Sequence, residues 1–209
     1  MRLSNNSPYV IIIYYRPFIS GKFLSNILSF NKNFIAQLPH VGTFEYSIQQ
    51  IMKTLPPTKE DCKQWVSYEL GCTAFWGFNA DDLIKDQTVT ENIHKKCIDL
   101  LLDKKYCFFI AHGLQEYRAA KNYFTNATTI ELINDTKIHK ISSLLKGNSQ
   151  IFPVDTPLDY SIKFNIDSMF NKNEFFANIN ELLLKFNIED KTLDYRVFEY
   201  YNRYMDLHK

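Results

Sequence analysis

Residues 9–28 read YVIIIYYRPFISGKFLSNIL, and the order of residue types in this stretch decides the fold. Tyr9–Tyr15 is an unbroken run of β-branched and aromatic residues, the composition of a strand covered on both faces, as in a parallel sheet. A short loop ending in Ser20-Gly21-Lys22 follows. From Gly21 onward the apolar positions recur at helical spacing, with Phe23, Leu24, Ile27 and Leu28 on one stripe. A buried strand, a tight loop with Gly and Lys, and a helix in that order build an anion cradle. The helix start supplies unpaired backbone N–H groups and the positive end of its dipole, and the Lys adds a full charge. The stretch therefore points to a phosphate-bearing ligand.

Outward from it, strands and helices alternate. The pattern from Thr43 to about Lys105 is helical: Ile48, Ile51, Met52 and Leu55 form one segment that Pro56-Pro57 ends. Thr58 to Asp61 reads as a capping box for a helix carrying Trp65, Tyr68 and Glu69, and a further helix spans about 90–102. This block reads as a helical insertion after the first βα unit. The spacing then predicts a strand over 107–111 ending in His112-Gly113, a helix over 115–124, and a strand over 128–133 ending in Asn134-Asp135. A helix to Leu145, a strand over 161–166 and helices over 173–186 and 191–207 complete the chain. Such alternation predicts an α/β fold, a parallel sheet of about four to five strands flanked by helices, in a single domain over 1–209. Ligands of these sheets bind beyond the carboxyl ends of the strands, where Arg16–Lys22, His112-Gly113 and Asn134-Asp135 all fall.

Composition narrows the partners. At 209 residues, 45% apolar and 15% aromatic, the chain has ample core and is no disordered tail. Its 24 Lys+Arg against 23 Asp+Glu leave a net charge of +1, so no basic field exists to hold nucleic acid, and an anion site has to be local. The cysteines (Cys62, Cys72, Cys97, Cys107) show no C-x-x-C and no finger spacing with histidine, which suits reduced thiols and a cytoplasmic protein. Val10–Tyr15 is too short for a membrane span or a signal core.

The loop can be set against the Walker A pattern G-x-x-x-x-G-K-[ST], with Arg16-Pro17-Phe18-Ile19-Ser20-Gly21-Lys22-Phe23 as the matching window. The second Gly and the Lys are in place; Arg16 stands for the first Gly and Phe23 for the hydroxyl residue. That hydroxyl ligates the Mg²⁺ bridging the β and γ phosphates, and a Phe cannot. The same segment resembles the 5′-phosphosulfate loop of the sulfotransferase branch of P-loop NTPase-fold proteins, a strand running into a P-x-S-G-T-like turn and then a helix. Pro17, Ser20 and Gly21 match in type, with one extra residue between Pro17 and Ser20; Ile19 and Lys22 depart from that family's Lys/Arg and Thr. A second likeness lies in Phe124-Thr-Asn-Ala-Thr-Thr-Ile-Glu-Leu-Ile-Asn134-Asp135, which resembles the family's F/Y-P-N-A-K-strand-R-D segment. Asn134 occupies the position of the Arg that helps hold the donor's 3′-phosphate.

The resemblance implies a sulfotransferase-like fold and 3′-phosphoadenylyl sulfate as donor, with a hydroxyl or amine of a small molecule or glycan as acceptor. It also implies Arg16, Pro17, Ser20, Gly21, Lys22, Phe23 and Asn134 as donor-binding positions. Lys22 is the cation aimed at the anion, and Arg16 a second clamp or a structural ion pair. Ser20 and Ser25 offer hydroxyls or simply cap the helix. His112 at a strand end and His40 after the first helix are rival general bases for the acceptor. Asp135 reads as a metal-facing carboxylate or an N-cap. Two other functions stay open on these residues: an ATP- and Mg²⁺-dependent small-molecule kinase, and a non-catalytic nucleotide-binding or interaction protein.

Overall fold

A computed structural model of the protein describes residues 9–15, 21–35, 44–53, 105–111, 114–133, 158 and 160–206. Strand β1, Val10–Tyr14, is buried along its whole length, as its continuous apolar run requires. It leads to helix α1, Gly21–Leu28, then to the two-residue strand β2, Phe34–Ile35, and helix α2, Phe44–Lys53. Next come β3, Tyr106–Ala111, α3, Leu114–Tyr123, and β4, Thr128–Ile133. Strand β5, Ile162–Asn165, runs straight into a 3-10 turn, Ile166–Phe170, before α4, Lys172–Lys185, and α5, Arg196–Asp206.

The five strands form one sheet in the order β2-β3-β1-β4-β5, and every neighbouring pair is parallel. Helices cover both faces. Ile11, Ile13 and Tyr15 join Phe108, Ile130, Leu132 and Phe164 in a cluster with the apolar stripes of α1, α4 and α5. On the opposite face the Tyr14 ring meets Tyr117 of α3 at 5.4 Å, and Phe109 meets Phe124 at 6.0 Å. The α/β class and the parallel sheet expected from the alternation are present.

Strand β2 was not expected. Phe34-Ile35 is too short to carry a periodicity; its place is set by neighbours instead. Asn31 turns the chain after α1, its Oδ1 accepting the Asn33 N–H at 2.9 Å while its Nδ2 donates to the Asp190 and Thr192 carbonyls. Phe34 then stacks on Phe108 at 5.5 Å. Helix α2 therefore follows β2, inside the connection from β2 to β3; the rest of the helical insertion, 54–104, lies outside the described residues, as does the expected helix ending at Leu145. No described helix is long and apolar enough to cross a membrane.

Both ends of α4 are set by asparagines. Asn171 caps α4, its side chain accepting the Glu174 N–H. At the other end Asn187 adopts φ 55°, with Ile188 N–H donating to the Leu183 carbonyl and Asn187 N–H to that of Leu184. That is the Schellman pattern with Asn in the left-handed position, and buried Ile188 packs back on the helix end.

Candidate functional site at the carboxyl edge of the sheet

The connections leave β1 and its neighbours in opposite senses. From β1 the chain moves past β3 to the β2 edge, whereas from β3 it crosses β1 to reach β4. Right-handed crossovers then place α1 and α3 on opposite faces, as the two sets of contacts above require. The crevice between diverging connections, at the carboxyl ends of β1 and β3, is where sheets of this class accept ligands.

Helix α1 begins at that crevice. The ladder continues one step beyond β1, with Tyr15 N–H donating to the Ala111 carbonyl at 3.0 Å. Gly21, the first residue of α1, lies against the residue that follows that strand: a Cβ there would run into the Tyr15 ring. Tyr15 and Gly21, which flank the connection 16–20, are thus in contact, and the start of α1 is held against the side chain that follows the central strand. The first turn of α1 holds no acidic residue, whereas α2, α4 and α5 carry Glu45, Glu174 and Glu199 in theirs. No side-chain carboxylate of its own offsets the positive end of this helix.

Within α1 the side chains divide by direction. Lys22 is half-buried, while Phe23 is 1% exposed and points into the core. The Phe23 ring stacks on Tyr204 at 4.0 Å, on Phe175 at 5.5 Å and on Tyr200 at 6.0 Å. What Phe23 can offer a ligand is its backbone N–H. Ser25, considered above as a hydroxyl donor, instead donates to the Lys22 carbonyl at 2.9 Å, and Ser29 donates to that of Ser25 at 2.8 Å. Both hydroxyls are spent inside the helix. Asn26 Nδ2 donates to the Tyr200 hydroxyl at 2.7 Å, so α1 is fixed to α5 by a buried polar contact as well as by rings.

Of the residues expected at the site, Gly21, Lys22 and Phe23 are brought together at the start of α1. Arg16, Pro17, Ser20, His40, His112, Asn134 and Asp135 lie outside the described residues. The strands that precede His112 and Asn134 end on the same edge as β1: Ala111 is in register with Tyr14, and Ile133 closes β4.

One polar group near this edge was missed. Glu131, in register with Tyr14, is 7% exposed; its Oε2 accepts the Ser161 hydroxyl at 2.7 Å and the Leu158 N–H at 3.3 Å. Thr129, two residues earlier on the same face, is buried with its hydroxyl unpaired. The alternation Thr129-Ile130-Glu131-Leu132 carried the signal: polar residues at period two place one polar row on a buried face. The chain matches no protein-family model, no curated protein and no solved structure.

Proposed function

We propose that the chain binds a phosphate-bearing nucleotide at the start of α1 and acts as a sulfotransferase-like transferase. It moves a sulfuryl group from 3′-phosphoadenylyl sulfate to a hydroxyl or amine of a small molecule or glycan. The observation that carries the reading is the contact of Gly21 with the Tyr15 ring, which brings a helix start with no acidic residue in its own first turn against the residue that follows the central parallel strand. In the reaction the acceptor oxygen or nitrogen forms a bond to sulfur as the bond from sulfur to the donor's 5′-phosphate oxygen breaks. Lys22 and the backbone N–H groups from Gly21 to Phe23 stabilise the charge that returns to that phosphate. His112 or His40 takes the acceptor proton, and adenosine 3′,5′-bisphosphate leaves.

The burial of Phe23 favours this reading over the kinase. A Mg²⁺–triphosphate reaction draws on a loop hydroxyl at that position, and here the position is part of the aromatic core. Sulfuryl transfer asks for no such ligand.

Thermal-shift titration with adenosine 3′,5′-bisphosphate, 3′-phosphoadenylyl sulfate, ATP·Mg²⁺ and GTP·Mg²⁺ tests it, since a ligand of the native state raises Tm. Metal-independent stabilisation by the bisphosphate, weakened by Lys22→Ala, supports sulfuryl transfer. Stabilisation by ATP·Mg²⁺ alone turns the assignment to a kinase, and no response to any of them leaves a non-catalytic role for the fold.

A further inference from the structure

The donor proposed above carries a second phosphate, on the 3′ oxygen of its ribose, and Lys22 with the start of α1 accounts for its 5′ end only. Helix α3 also begins at the crevice, on the opposite face of β1 from α1. Rings fix its level along the sheet. Tyr117 meets Tyr14, the last residue of β1, at 5.4 Å, whereas Phe124, just past the end of α3, packs on Phe109 at 6.0 Å. The chain then enters β4 at Thr128, so α3 runs from the carboxyl edge of the sheet to its amino edge. Two cations stand one turn apart on this helix, Arg118 and Lys121. Lys121 is half-buried, and its ammonium donates to the Ala127 carbonyl in the turn before β4, at the amino edge. Arg118 is exposed and has no ion-pair partner among the described residues. It follows Tyr117 directly, and its Cα stands about 6 Å along the axis from that of Leu114, the first residue of α3. Side chains of a helix slope toward its N-terminus, which carries the Arg118 guanidinium back over the first turn toward the carboxyl edge.

We propose that Arg118 is the second phosphate anchor of the site, holding the ribose 3′-phosphate from the α3 side while the start of α1 holds the 5′ end. The inference rests on the nucleotide reading above and adds to it the residue that sets selectivity. A guanidinium suits the task, since its planar fork takes two phosphate oxygens at once and keeps its charge at any working pH. Of the two cations on α3, only Arg118 stands at the level of the crevice, because Lys121 is already committed to the loop at the far edge. Anion positions on either side of β1 favour a nucleotide whose phosphates stand on different ribose oxygens over one whose phosphates form a single chain.

Metal-free calorimetric titration of the full chain with adenosine 3′,5′-bisphosphate and with adenosine 5′-phosphate tests this, since the two differ by the 3′-phosphate alone. Arg118→Gln is expected to weaken the bisphosphate at least about tenfold, down to the level of the 5′-phosphate, and to leave the 5′-phosphate within about twofold. Lys121→Gln is expected to change neither affinity. An unliganded melting temperature equal to that of the unmodified chain checks that Arg118→Gln is folded. Bisphosphate binding that Arg118→Gln leaves unmoved, or an equal loss for both ligands, would overturn the assignment of Arg118 and leave the nucleotide reading standing. Binding of neither ligand by the unmodified chain would overturn that reading, and the second anchor with it.

Discussion

Phe23 and Gly21 are adjacent in space to the same site and answer to different pressures. Phe23 is anchored among four aromatic rings, so Phe23→Ala should cost about 3–5 kcal/mol of stability in denaturant titration. Phe23→Ser, which restores the Walker hydroxyl, should likewise destabilise, and should bring no Mg²⁺ dependence to nucleotide binding, because the side chain faces the core. Gly21 has a packing reason of its own: any Cβ meets the Tyr15 ring, and Tyr15 is only 4% exposed and not free to swing away. Gly21→Ala is therefore expected to cost about 1–3 kcal/mol through overpacking. A double-mutant cycle with Tyr15→Leu should recover about 1 kcal/mol or more of that. Full stability in Gly21→Ala, with only ligand binding lost, would instead assign the glycine wholly to the anion. At Asn187, where φ is positive, Gly should be tolerated and Ala should cost about 1 kcal/mol, read from the same titrations.

At the scale of elements, α5 is the strut on which α1 and α2 both lean, and its ion pairs, screened by solvent at Glu45, make a modest part of the stability depend on pH. Hydrogen bonds from Arg196 hold the Glu45 and Asp194 carboxyls below their ordinary values of 4.5 and 3.8, and Lys32 holds Asp190 well below the usual range. Groups lowered in the folded state contribute stability that is complete above those ordinary values. That contribution is lost as pH falls through the lower folded ones. The melting temperature should accordingly fall on acidification below the ordinary carboxylate range, and Arg196→Leu should flatten that fall while lowering Tm at neutral pH. An unchanged acid profile in Arg196→Leu would exclude the clasp as a contributor. The element boundaries also show what the residues made legible. Helix α4, expected over 173–186, spans Lys172–Lys185, with Asn171 capping its start and Asn187 ending it. Helix α5 starts at Arg196 and not at Lys191, because Asp190 to Asp194 are engaged in holding Asn31, Lys32 and Phe30. Strand β5 ends at Asn165, whose side chain accepts the Asp167 N–H and turns Ile166 into a 3-10 start.

Across the whole molecule, the continuous apolar runs at β1 and β3 made the parallel sheet legible, and the alternation of elements made its two-sided covering legible. The strand order and the two-residue β2 were not, since both follow from contacts between residues distant in sequence, such as Phe34 with Phe108 and Tyr106 with the Phe186 carbonyl. The candidate site was legible as an order of residue types, strand then Gly-Lys loop then helix; the inward direction of Phe23 and the buried Glu131 were not. Glu131→Ala should cost about 1–3 kcal/mol by taking the acceptor from the Leu158 N–H and leaving the Ser161 hydroxyl only the Leu158 carbonyl, and Glu131→Gln markedly less, since an amide oxygen still accepts both. The most direct test of the account is a metal-free titration of the ¹⁵N-labelled protein with adenosine 3′,5′-bisphosphate, followed residue by residue in amide NMR spectra. Saturable shifts centred on the Gly21, Lys22 and Phe23 amides, weakened by Lys22→Ala, are the predicted result. Binding that leaves those three amides unmoved, or no binding at all, would contradict it.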